Sequence, residues 1–345
     1  MAVNIFDNDA FSSFSLTAAI NKAPYVPKFL RDMNLFSSEP IDTVVAAVEE
    51  LNGQLSLVSD AARGSMENAE VGDRRKIRDI RVPHLPEFST VMAEDVQGKR
   101  EFGTLDTLET VMTKVNRKMV KMRRNIEATH EYHRIGAVQG QIRDSDGVTV
   151  LRDFFTIFGV SETDLPFDFT AAYVAGSATD YKVFCNSVTR NMSTLLGATP
   201  FTRILAICGD DYFDNVTAHE SVRLGYERWM ESQFFRESQL GPEYNADMNG
   251  FPFGNITFVN YRGSIGGVDF FPADEARFIP LGVPDLFQAV ISPGPQEGSV
   301  NTMGVPFYAS QEPLQHGMGR SLYVNSNILF VPTRPAALIK STGTV

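Results

Sequence analysis

Several short runs in this chain carry side chains that could do chemistry. His130-Glu131-Tyr132-His133 sets two imidazoles and a carboxylate within four residues. A zinc-protease helix needs His-Glu-x-x-His, because histidines four apart share one face and aim at one metal. Here they are three apart, so that signature fails. A metal shared by such a pair stays open, but a solvated helix face is the expectation for both. His219-Glu220-Ser221-Val222-Arg223 fails too, since Arg223 stands where the second histidine belongs. Asp210-Asp211 could bind a divalent ion, and capping of a following helix explains the pair with fewer assumptions. Gly263, Gly266 and Gly267 lack the spacing of a dinucleotide loop. There is no phosphate-binding GxxxxGK[ST] loop and no GxSxG elbow. Cys185 and Cys208 lie outside any CxxC pair, so a zinc site is not expected. Two half-buried thiols in a reducing cytosol is the favoured reading of them, with a disulfide left open.

The polar feature with most force is a row of cations. Lys114, Arg117, Lys118, Lys121 and Arg124 fall on one side of a long helical pattern. The other side holds Leu105, Leu108, Met112, Val115, Met119, Met122 and Ile126 at alternating steps of three and four, continued by Thr129 and His133. The spacing predicts a helix over 104–142, roughly 45–50 Å of it up to Ile135, with Gly136 and Gly140 marking its end. Such a rod spans a flat or extended molecule better than it serves a pocket. The ridge is expected to be a solvated face bridging to acidic neighbours, or a surface that meets packaged nucleic acid or an acidic partner.

Other elements can be read around the rod. Residues 1–40 form an arm whose aromatics, Phe11, Phe14, Tyr25 and Phe29 among them, need a surface to bury against, and a second subunit can supply it. From 41 to 102 the pattern is a charged two-stranded flap. Thr43 to Glu50 leads to the hairpin signal Asn52-Gly53, and Lys76 to Val82 returns as a strand. Arg74, Arg75, Lys76, Arg78 and Arg81 make this flap dense in charge and suited to salt bridges between subunits. Thr179 to Leu196 reads as a helix with Phe184, Val188 and Leu195 on one face. Ile204 to Ile207 is a buried strand, and Tyr212 to about Trp229 a helix. Asn255 to Asn260 and Arg277 to Ile279 are strands. Residues 291–318 read as irregular loop, and Ser321 to Val331 as the terminal strand.

The 345 residues carry a formal net charge of −11, which argues against a general nucleic-acid coat but leaves room for one basic face. No apolar run approaches the ~18 residues of a membrane span, and Asp7 and Asp9 break any signal-peptide layout. Synthesis and assembly in the cytoplasm are expected, with no membrane partner and no cofactor.

Motifs along nearly the whole chain resemble the major capsid proteins of tailed bacteriophages, in particular the lambda-like protein E family. They include Phe29-Leu30-Arg31-Asp32, Arg81-Val82-Pro83-His84-Leu85-Pro86, Ala93-Glu94-Asp95-Val96-Gln97, Ile207-Cys208-Gly209-Asp210, Tyr261-Arg262-Gly263, Pro280-Leu281-Gly282-Val283-Pro284 and Asn301-Thr302-Met303-Gly304. The resemblance implies an α+β fold of Hong Kong 97 type. Its parts would be an N-terminal arm (1–40), an extended β-hairpin loop (41–102), a peripheral domain with a spine helix (103–164 plus 316–345) and an axial α/β domain (165–315). It further implies hexamers and pentamers closing an icosahedral shell around double-stranded DNA. Expected partners are a separate scaffold and protease, a portal and a decoration protein. An encapsulin-like compartment is the alternative on the same fold. An enzyme centred on Asp210, Asp211 and His219 is the third reading.

Overall fold

Arg203–Cys208 alternates between two cores. Ile204, Ala206 and Cys208 face one, Leu205 and Ile207 the other, and all five are at most 1% exposed. A strand covered on both sides needs apolar residues at every position, hence the unbroken run at its centre. It is an inner strand of the largest sheet in the computed structural model, which describes residues 28–50, 76–92, 94–95, 111–197, 199–225 and 251–344.

In chain order the elements begin with α1 (Phe29–Asp32), β1 (Ser37–Pro40), β2 (Val45–Glu50), β3 (Lys76–Arg81) and β4 (Leu85–Met92). The long helix α2 (Val111–Gln139) follows, then β5 (Gln141–Arg143), β6 (Val150–Asp153), α3 (Phe154–Phe158), β7 (Thr163–Asp164) and β8 (Phe167–Asp168). Next come α4 (Tyr181–Leu196), β9 (Arg203–Cys208), α5 (Asp210–Ala218), β10 (Phe251–Phe253), β11 (Ile256–Asn260), β12 (Ser264–Ile265) and β13 (Val268–Asp269). The chain continues through β14 (Glu275–Leu281), β15 (Phe287–Ile291), β16 (Tyr308–Pro313), β17 (Gly319–Ser326), β18 (Ile328–Pro332) and β19 (Ile339–Thr344).

Three sheets organise these elements. The largest runs β10-β11-β9-β14-β19-β7, with β8 also on β19. Helices α4 and α5 cover one face of it, and the C-terminal half of α2 with α1 packs on the other. A second sheet, β1-β15-β18, lies beside the root of the β2–β3 ribbon. The third, β16-β17-β4, carries the N-terminal half of α2. There Val115, Met122 and Ile126 bury against Val91, Leu322 and Val324, with Met119 partly covered. Full burial of such a side chain contributes about 1.5–3 kcal/mol, so this seam holds the rod to the sheet, as its apolar spacing predicts.

Several boundaries differ from the sequence reading. Helix α2 ends at Gln139, not 142. Gly140 has φ +83°, and a Cβ there would run into the Phe155 ring. Its start, with Leu105 and Leu108, lies outside the described residues. Leu85–Met92, read as part of the flap, instead pairs along its whole length with β17. Pro86 sits inside it without harm because β4 is an edge strand. Residues 308–313, read as loop, form β16. The expected terminal strand is two strands, β17 and β18, parted at Asn327. The true last strand, β19, joins the largest sheet rather than the sheet that carries the N-terminal half of the helix. On α4 the buried face continues through Met192 and Leu196, leaving Leu195 37% exposed.

The arm is also more built-in than expected. Residues 37–40 pair in parallel with β15, and Leu30 is buried. The ribbon pairs Val45 with Arg81 and Glu50 with Lys76. The Asn52-Gly53 turn falls outside the described residues.

Candidate assembly surfaces

The root of the arm is fastened to the long helix. The Leu30 backbone N–H donates to Glu131 Oε1 at 2.6 Å, and Arg134 Nη1 meets Glu131 Oε2 at 3.1 Å. The Arg134 guanidinium in turn lies 4.6 Å over the Phe330 ring. Phe36 sits between Phe287 and Phe330, ring centroids 5.3 and 5.2 Å away. Phe29, expected to seek another subunit, packs on Tyr261 of its own chain at 6.1 Å. Phe11, Phe14 and Tyr25 lie outside the described residues. Sequence reading passed over Glu131 as part of a failed zinc motif. The signal for its burial was the run Ile135-Gly136-Ala137-Val138 just beyond, which is apolar around the whole helix.

The ribbon is fastened at its root as well. Ala46, Val48, Ile80 and Val82 bury against Phe154, Phe158 and Val290. Arg78 donates to the carbonyls of Ile157 and, at 2.8 Å, Phe158. These are end carbonyls of α3, which lack helical partners and carry the negative end of its dipole. Its guanidinium stands 5.4 Å over the Phe158 ring. At Arg81 the backbone carbonyl accepts from Arg152 Nη2 at 2.9 Å, and its side chain is exposed. Arg74 and Arg75 lie outside the described residues, as does the side chain of Lys76.

The five cations of the helix divide. They occupy an arc of about 120° at 100° per residue, with Lys118 and Lys114 at one end. Lys114 Nζ reaches the Asp95 carbonyl at 3.0 Å and its carboxylate at 3.7 Å. Lys118 Nζ reaches the Thr90 carbonyl at 2.5 Å. Both half-buried lysines thus turn onto the edge strand β4 and the residues after it. Arg117, Lys121 and Arg124 are exposed.

The catalytic candidates have structural roles. His130 and His133 are 3% and 1% exposed, contrary to the solvated face expected, because both lie in the half of α2 that is packed on all sides. Burial, with Arg134 adding to it, pulls His130 down to about 3, and burial pulls His133 to about 4. Both are neutral at pH 7. Asp210 does not cap its helix: Gly209 holds that position without a side-chain bond. Its carboxylate accepts from Asn260 Nδ2 at 2.8 Å and Arg262 Nε at 2.6 Å, which holds its pKa below the ordinary carboxylate value. His219 Nδ1 bonds Ser221 Oγ at 2.9 Å among the rings of Phe167 and Phe169. Cys185 and Cys208 are free thiols, fully rather than half buried, and burial raises both far above the usual thiol range. Among the described residues no three His, Cys, Asp or Glu side chains could hold a metal ion together. No described helix is long and apolar enough to cross a membrane.

This mixed helix-and-sheet fold is that of phage capsid proteins of Hong Kong 97 type. The crystal structure of the putative capsid protein of an E. coli CFT073 prophage is similar with a TM-score of 0.52 and 12% identity, covering 96% of this chain and 98% of that one. The capsid of Myoviridae phage XM1 is similar with a TM-score of 0.52 and 11% identity, covering 94% of each chain. The chain belongs to the phage major capsid protein E family, which matches residues 12–343, and is a major capsid protein of a tailed phage. The major capsid protein of Pseudomonas phage KPP10 is 25% identical over 335 residues, 93% of each chain. That of Salmonella phage Felix O1 is 22% identical, with 96% of each chain covered.

Proposed function

We propose that copies of this chain assemble as hexamers and pentamers into an icosahedral shell enclosing double-stranded DNA, and that it catalyses no reaction. The family match over residues 12–343 carries this reading and favours it over an encapsulin-like compartment. The role is one of interface geometry. Residues 1–40 form the arm, 41–102 hold the extended loop, and α2 is the spine of a peripheral region that includes 103–164 and the strands β17 and β18, while β19 completes the sheet of the axial lobe. Residues 165–315 form most of the axial lobe.

In this scheme the arm's Phe11, Phe14 and Tyr25, and the loop's Arg74, Arg75, Lys76 and Arg81, meet neighbouring subunits. Phe29 and Arg78 anchor those clamps to their own chain. Each surface ion pair is worth little alone, but a closed shell repeats it in every copy. Arg117, Lys121 and Arg124 are the exposed part of the ridge and face packaged DNA or a neighbouring subunit. Assembly takes place in the host cytoplasm with a separate scaffold and protease, and the finished shell bears a portal and a decoration protein. Electron microscopy of particles made with the phage's other head genes tests this. Closed heads that protect DNA from nuclease support it, and closed particles without DNA or tails in an infected cell would favour the compartment.

A further inference from the structure

A cavity of about 560 Å³ opens where α1, α2 and the loop before β16 converge. Its walls are cationic and aromatic together. Arg123 stacks over Phe307 at 5.0 Å, and Arg134 over Phe330 at 4.6 Å. Glu127 is shared by Arg123 at 3.0 Å and Arg31 at 3.3 Å, so two guanidinium groups answer to one carboxylate. Arg134 is matched from behind by Glu131. The lining therefore has a surplus positive charge above a floor of phenylalanine rings. His130 belongs to that floor, 5.7 Å from Phe307 and 5.8 Å from Phe330. It is almost fully buried, and its Nε2 has no hydrogen-bond partner. A buried ring nitrogen left unpaired costs free energy comparable to a lost hydrogen bond. The cavity is built for a ligand that brings both carboxylates and apolar rings.

A segment near the start of this chain, on the same arm that lines the cavity, has that composition. Ile5-Phe6-Asp7-Asn8-Asp9-Ala10-Phe11 sets two aspartates between two phenylalanines, and it lies outside the described residues. Leu30 and Arg31, just after the first described residue, line the cavity. From Lys28 back to Asp9 an extended chain spans roughly 60 Å, ample to cross to a neighbouring copy. We propose that this cavity receives the Phe6–Phe11 segment of a neighbouring subunit, with Asp7 and Asp9 meeting Arg31 and Arg123 and a phenylalanine ring covering Phe307. This rests on the shell reading and names the surface that the arm grips.

The test uses the full chain in assembled particles. Cysteines are placed by Asp9→Cys and Arg123→Cys, and a short bis-maleimide is added. The native Cys185 and Cys208 are buried and do not compete. A ladder of covalent dimers and higher multimers on a denaturing gel is expected. A cross-link confined to single chains, or none at all, overturns the proposal while the particles themselves leave the shell reading intact. A wild-type protein that forms no particles sinks the shell reading instead. A charge swap adds an independent arm. Arg123 is 59% exposed, so Arg123→Glu should fold, yet it should cut the yield of closed particles by about tenfold through like-charge contact. Adding Asp7→Lys and Asp9→Lys should restore the yield, and failure of that rescue counts against the pairing.

Discussion

The carboxylate of Glu131 accepts the backbone N–H of Leu30 at 2.6 Å, across 101 positions of sequence, with Arg134 on its other oxygen. The arm root and the spine helix are thus one unit. Glu131→Leu leaves a buried N–H and a half-buried guanidinium unpaired and should cost about 3–5 kcal/mol. Glu131→Gln keeps an acceptor for Leu30 and should cost about 1–2 kcal/mol. Urea unfolding of the unassembled subunit measures both, and equal midpoints for the two variants would contradict the assignment.

That joint bears on where the arm can be cut. Deleting residues 1–27 should leave the subunit folded, with an unchanged urea midpoint, but unable to form closed shells. Deleting residues 1–38 should also destabilise the fold, because Leu30, the Phe36 ring contacts and two residues of β1 go with it. Circular dichroism and sizing of the two truncations separate these outcomes. Normal shells from the shorter deletion would refute the clamp role.

The end of the spine helix gives a second check. Gly140 and Gly159 both adopt positive φ, at +83° and +68°. A Cβ at 140 would strike Phe155, whereas nothing lies within 4 Å of one at 159. Gly159→Ala should cost about 1 kcal/mol from the backbone alone. Gly140→Ala should exceed it by at least about 1 kcal/mol of overpacking. Similar losses in thermal or urea unfolding would mean that the Phe155 contact does not matter.

Much of this was legible where a periodic pattern met a single partner. The seam Val115, Met122 and Ile126 was plain because the N-terminal half of α2 has one sheet beneath it. The C-terminal half is packed from several sides, so His130 and Glu131 fall off the single seam, and both histidines read as solvent-facing although they are buried. β19 was missed because Ser341 and Gly343 interrupt its apolar alternation. Ser341 is buried there by its bond to Tyr212 Oη at 2.9 Å. Capping by Asp210 was a reasonable local inference, overridden by Asn260 and Arg262 from a distant strand end. The division of the cation ridge could not be read from the helix alone, since it depends on where β4 lies.

The buried histidines set a pH dependence. An unfolded chain protonates them near 6.5, and the folded chain only near 4 for His133 and 3 for His130. Between those values the unfolded state binds more protons, so stability falls as pH drops from about 6.5 toward 4. For His133, with Asp144 the charge that partly opposes its burial, the loss by pH 4.5 is on the order of 2–3 kcal/mol. His133→Gln should shrink the difference between urea midpoints at pH 7 and pH 4.5 by that amount. An unchanged difference would contradict the buried, neutral assignment.

The central claim is that this chain builds a closed shell, and electron cryomicroscopy of the assembled protein tests it most directly. The account predicts icosahedral particles whose subunits carry α2 packed on β4 and β17 and whose ribbon, rooted at Ala46 and Ile80, extends over an adjacent subunit. A small discrete oligomer, or particles in which residues 51–75 fold back on their own chain, would contradict it.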